Sequence, residues 1–170
     1  NIRILIRRPD DLPDHEFRSH LKVKLVEDNV DLQGQPILPE YSGKGFTLGP
    51  KARLVSAIPI FVRAEGLAAT AHLSDPEVLE GDGPPTFSFN MHREGNMTIR
   101  GDLTVTHVNA KGRSKVVHFL PGVPVYYPSS HRNMTLQLEL DSKDLEEGRL
   151  EIRYAAQGGK VLLAELVHPL

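Results

Sequence analysis

Apolar and polar residues alternate with a period of two along most of this chain. That pattern restricts the chain to strands, because only an extended backbone sends successive side chains to opposite faces. Ile2, Ile4 and Ile6 alternate with Arg3 and Arg7. Phe17, Ser19, Leu21, Val23 and Leu25 share one parity, with Arg18, His20, Lys22 and Lys24 on the other. Similar runs follow at 67–73, 85–92, 98–108, 115–120, 123–126, 133–140, 149–155 and 160–167. Gly, Pro, Asn and Asp clusters at 9–14, 81–85, 94–96, 109–112, 128–130 and 157–159 separate them, as turn residues should. Only 75–79 and 142–147 read as short helical turns. Many short strands at this spacing specify an all-β sandwich or barrel.

The count of strands divides the chain. From Leu67 onward there are seven or eight, enough to close one immunoglobulin-like β-sandwich of roughly 100 residues. Before Arg63 only three are convincing, at 2–8, 16–26 and 52–63. Three strands cannot close a sandwich, because one sheet would have nothing to cover its apolar face. Either they extend the sheets of the later domain or they are the last strands of an earlier one. The one-face alternation favours the second: residues 1–63 as the C-terminal part of a first immunoglobulin-like domain, and 64–170 as a complete second one. Because Asn1 falls inside a strand pattern, the expectation is a mature or truncated chain. There is no convincing internal repeat and no low-complexity tract.

Composition narrows function mainly by exclusion. Among 170 residues, 20 Lys and Arg face 22 Asp and Glu, a net charge of −2, so no clustered basic surface for nucleic acid is expected. With no cysteine, a thiol nucleophile, a disulfide and a Cys-ligated zinc are all excluded. No apolar run approaches the length of a transmembrane helix, and the opening residues do not form a signal peptide. His15, His20, His72, His92, His107, His118, His131 and His168 show no ligand spacing on one element, so they are expected at the surface or at cleft rims. Ser129-Ser130-His131 lacks the nucleophile-elbow context, and Gly43-Lys-Gly45 and Gly49-Pro-Lys51 lack the phosphate-loop spacing. Asp10, Asp11, Asp14 and Glu16 follow turn propensity better than the strict spacing of a calcium loop. Tyr126, Tyr127 and Tyr154 read as packing at strand ends before they read as a sugar platform. The chain is therefore expected to be no enzyme and to need no metal or cofactor.

The unusual stretch is 28–50, more than 20 residues rich in Gly, Pro, Asp and Gln, a loop length that is functional or disordered in most domains. It leads into 51–63, where both parities are mostly apolar: Ala52, Leu54, Ser56, Ile58, Ile60 and Val62 on one, Val55, Ala57, Pro59 and Phe61 on the other. Two readings stand. One is a central strand covered on both faces, with Pro59 at a bulge. The other is an edge strand whose apolar residues are available to another chain, as in β-augmentation.

The stretches Arg7-Arg-Pro-Asp-Asp-Leu-Pro-Asp-His-Glu-Phe-Arg-Ser-His-Leu21 and Ser56-Ala-Ile-Pro-Ile-Phe-Val-Arg63 resemble the end of the first domain in PapD-like periplasmic pilus chaperones. Gly95-Asn-Met-Thr-Ile-Arg-Gly-Asp-Leu-Thr-Val105, Pro121-Gly-Val-Pro-Val-Tyr126, Gly148-Arg-Leu-Glu-Ile-Arg-Tyr154 and Leu163-Ala-Glu-Leu166 resemble their second domain. The resemblance covers nearly the whole chain through soft, structural motifs, and it is nearer to divergent members. It implies two immunoglobulin-like domains, a periplasmic location, and a pilus or fimbrial subunit bound by donor-strand complementation before an outer-membrane usher takes it over. It implies subunit-binding roles for Ala52, Leu54, Ser56, Ile58 and Ile60, with Leu54 the main anchor. The family's clamp for the subunit carboxylate is not matched: Pro59, or Ala57 in a shifted register, stands where its Lys is expected. Lys51 and Arg53 are the available substitutes. In a bacterial protein Asn96-Met-Thr98 and Asn133-Met-Thr135 are ordinary turn and strand residues rather than glycosylation sites. A truncated chain of this kind would leave strand edges unpaired, which implies strand-swapped self-association or a covering partner. The competing reading is a structural or adhesive surface module, such as a pilus subunit or a carbohydrate-binding sandwich.

Overall fold

The computed structural model describes residues 13–24, 55–79, 83–145 and 147–170, together with Arg3, Leu5, Arg7 and Asp11. The chain divides into two compact units, Phe17–Val62 and Asn1–Glu16 with Arg63–Leu170.

The smaller unit contains β1 (Phe17–Lys24) and β2 (Val55–Val62), paired antiparallel from Phe17 opposite Val62 to Lys24 opposite Val55. The register joins Phe17, Ser19, Leu21 and Val23 with Val62, Ile60, Ile58 and Ser56 on one face. Arg18, His20 and Lys22 share the other with Phe61, Pro59 and Ala57.

The larger unit is a β-sandwich. β3 (Ala69–Leu79), β4 (Thr86–Gly95) and β7 (His131–Gln137) form a three-stranded sheet in the order β3-β4-β7. β5 (Ile99–Val108), β6 (Ser114–Val125), β8 (Arg149–Ala156) and β9 (Leu162–Pro169) form a four-stranded one in the order β6-β5-β8-β9. All pairings are antiparallel, and β3 packs beside β9 where the two sheets meet.

The period-two pattern is the cause of this arrangement. Phe87, Phe89 and Met91 alternate inward along β4, with Leu73, Met134 and Leu136 beside them. Leu103, Val105, Val117, Leu150, Ile152 and Tyr154 meet them from the other sheet, and all belong to one buried core. Each such side chain contributes about 1.5–3 kcal/mol through removal from water. Tyr154 is the largest of the fully buried side chains, and its hydroxyl donates to the Val123 carbonyl at 2.7 Å. Burial pushes that phenol well above its ordinary pKa.

The structure departs from the expected elements in three places, the first being the strand expected at 2–8, of which the described Arg3, Leu5 and Arg7 lie in no strand. Residues 75–79 are not a helical turn: β3 shifts register between Ser74 and Glu77 and then continues, with Val78 opposite Phe87. The pairing with β4 outweighs the local signal of Asp75-Pro76. The expected strands at 115–120 and 123–126 are one strand, β6, in which Pro121-Gly122 forms a bulge opposite Asp102 rather than a turn. The short turn expected at 142–147 is present as a 3-10 turn over Ser142–Leu145.

The acidic turn is also built into the larger unit. Glu16 is buried, accepts from the Thr98 hydroxyl, and pairs with the Arg63 guanidinium at 2.7 Å. Its backbone N–H donates to Asn96 O at 2.9 Å, and Asn96 Nδ2 donates to Asp14 O at 2.8 Å. Both carboxylate oxygens of Glu16 thus accept from protein donors.

Candidate functional site: the β2 edge

Among the described residues β2 pairs with β1 alone, and none of them forms a strand along its other edge. The ladder passes Pro59, opposite His20, with no shift of register. A centrally placed proline would need a bulge there, whereas an edge strand tolerates it. Of the residues expected to bind a subunit, Ser56, Ile58 and Ile60 lie on one face of β2 in the expected parity. Ala52 and Leu54, and the substitute clamp residues Lys51 and Arg53, lie outside the described residues.

Ile58 is 52% exposed and Val55 46%, whereas Ile60 is half-buried. Exposed apolar residues on an unguarded edge are a liability in an isolated protein. On an edge meant for pairing they are the specificity element. Side chains two residues apart project about 7 Å from one another, the spacing at which a strand fills alternate pockets of a partner groove.

The other candidates resolve into structure. Ser74 donates its hydroxyl proton to Asp75 Oδ2 at 2.7 Å and lies 2.8 Å from His92 Nε2. With that proton committed, His92 Nε2 is the donor of the pair, the reverse of what a base activating a nucleophile requires. Hydrogen bonds from Ser74 and Asn90 hold the Asp75 carboxyl below its ordinary pKa. His72, His92 and His131 occupy one cross-strand row on the three-stranded sheet. Even so, no three His, Asp or Glu side chains among the described residues converge to hold a metal ion.

At Ser129-Ser130-His131, the two serine carbonyls accept from Arg93, Ser129 from its Nε at 3.0 Å and Ser130 from its backbone N–H at 2.7 Å. The Tyr127 ring lies under that guanidinium and stacks on His15 with centroids 5.2 Å apart. Tyr127 and Tyr154 are therefore packing residues. No helix among the described residues is long and apolar enough to cross a membrane.

One histidine is buried rather than at the surface. His107 is 6% exposed, and its Nε2 has no hydrogen-bond partner. The signal was in the parity: Ile99, Gly101, Leu103 and Val105 point inward, and His107 is next in that series. No protein-family model matches the chain, and no curated protein matches it.

Proposed function

We propose that this chain is a non-enzymatic chaperone of pilus or fimbrial subunits, related to the PapD-like proteins, that works in the periplasm. It lends β2 to a subunit as a missing strand and yields the subunit to an outer-membrane usher. The observation that carries this reading is the β2 edge, unpaired among the described residues and bearing an exposed Ile58 between Ser56 and Ile60 on one face. The division of the chain supports it, because the sandwich closes its own core without residues of β1 or β2. Capture then rests on ladder hydrogen bonds, each worth about 0.5–1.5 kcal/mol, plus the burial of apolar side chains.

Ile58→Arg tests it. A guanidinium in an apolar groove is desolvated without a partner, so capture of co-expressed fimbrial subunits should fall by about tenfold or more. Lys22→Ala, on the opposite face of the ladder, should leave capture intact. The thermal unfolding of the sandwich should be unchanged in both variants. Undiminished capture by the Ile58→Arg chain sinks the proposal.

A further inference from the structure

We propose that the larger unit carries a second, independent site: a cleft beside the β5–β6 turn that binds a small acidic sugar, a hydroxylated ring bearing a carboxylate. The starting point is His107. It ends an inward-facing series in which Leu103 and Val105 are fully buried, a position where an aliphatic residue would complete the core. An imidazole nitrogen left there without a partner costs about 1–3 kcal/mol. Among the described residues it is the sole buried side-chain nitrogen or oxygen in that state. Such an exception calls for a reason beyond packing.

His107 forms part of the wall of a cleft of about 500 Å³, within the usual range of ligand sites. One wall is basic, with Lys111 and Arg113 on the β5–β6 turn and Lys115 at the start of β6. The other wall carries Asp144 and Glu147. The opposed charges do not close on each other: no ion pair joins the two walls among the described residues.

The basic wall is also preorganised. Asn109 Oδ1 accepts from the backbone N–H groups of Lys111 and Arg113, both at 3.0 Å, and Asn109 N–H donates to Arg113 O at 3.0 Å. The turn that presents the cations is therefore held from within, which lowers the entropic cost of binding. A ligand that spans this cleft needs an oxyanion for Lys111 and Arg113 and hydroxyl donors for Asp144 and Glu147. It also needs a polar group for His107 Nε2, which has almost no accessible surface and must turn toward the cleft to meet it. A hexuronate has all three.

The test is a titration of the full chain, labelled with nitrogen-15, with glucuronate, glucose and inorganic phosphate in turn. Glucuronate should give saturable shifts of the His107 ring nitrogens and of the 109–115 amides. Glucose and phosphate should each bind at least about tenfold more weakly. Lys111→Ala with Arg113→Ala, both at exposed positions, should weaken glucuronate by about tenfold or more while the rest of the spectrum stays in place. Any of three results overturns the proposal. These are no saturable response, which leaves water as the partner of His107, equal binding of phosphate, which marks a bare anion site, or unchanged affinity in the double variant.

Discussion

Asp75 occupies a left-handed backbone conformation, with φ of 52°, at the bulge in β3. Few residues other than glycine accept that region, and Asp and Asn are among them. Its carboxylate accepts from Ser74 and Asn90, which are the main reasons its pKa lies below the ordinary value of 3.8; the neighbouring imidazoles of His92 and His72 add to the effect. A depressed folded-state pKa stabilises the fold above the unfolded value, and the contribution disappears as pH falls through the folded one. Asp75→Asn keeps the conformational tolerance and removes the charge. The loss of stability between about pH 6 and about pH 2, measured by urea unfolding, should therefore be smaller in the variant. An identical loss in both proteins shows that this carboxylate does not couple folding to protons.

The β6 bulge shows how one side chain can hold an irregular strand. Gly122, at φ 64°, lies in the bulge opposite Asp102, and its N–H donates to Asp102 Oδ1 at 2.8 Å. Asp102 Oδ2 accepts from Gly158 N–H at 3.3 Å, so one carboxylate serves both the β6 bulge and the turn after β8. Asp102→Ala should lower the unfolding free energy by about 1–2 kcal/mol, seen as a lower urea midpoint at unchanged slope. An unchanged midpoint means that water replaces the carboxylate at no cost.

The same element marks where sequence reading succeeds and fails. Alternation located every strand of the sandwich, because inward parity and burial share one cause. It split β6 in two, because Pro121-Gly122 carries the same local signal in a turn and in a bulge. It ended β3 too early for a similar reason: Val78 opposite Phe87 is a long-range pairing, and Asp75-Pro76 gives no local hint of it. Whether β2 is an edge could not be read from its two apolar parities, since neighbours in a sheet are a tertiary property. The cleft was hidden for the same reason, because 109–115 and 144–147 meet only in the fold.

At the scale of the molecule, the sandwich has an order of stability set by its topology. Among the described residues β4, β5 and β8 have strands on both sides, whereas β3, β7, β6 and β9 lie at sheet edges. Opening a doubly flanked strand requires loss of the core, which joins Phe87, Leu103 and Ile152 from those three strands. Hydrogen exchange should therefore be slowest in β4, β5 and β8, at rates set by global unfolding, with faster sub-global exchange at the edges. Slower exchange in β6 or β9 than in β5 contradicts this hierarchy.

Glu16 and Arg63 immediately flank the smaller unit, yet their side chains meet at 2.7 Å, and Phe17 and Val62 are register partners. The backbone thus leaves the sandwich and returns to it at neighbouring points. In terms of modularity, 17–62 is a cassette inserted into the sandwich between two residues already joined to each other. Changes of length or sequence within 17–62 then act between two fixed points. The sandwich that carries the cassette need not be rebuilt.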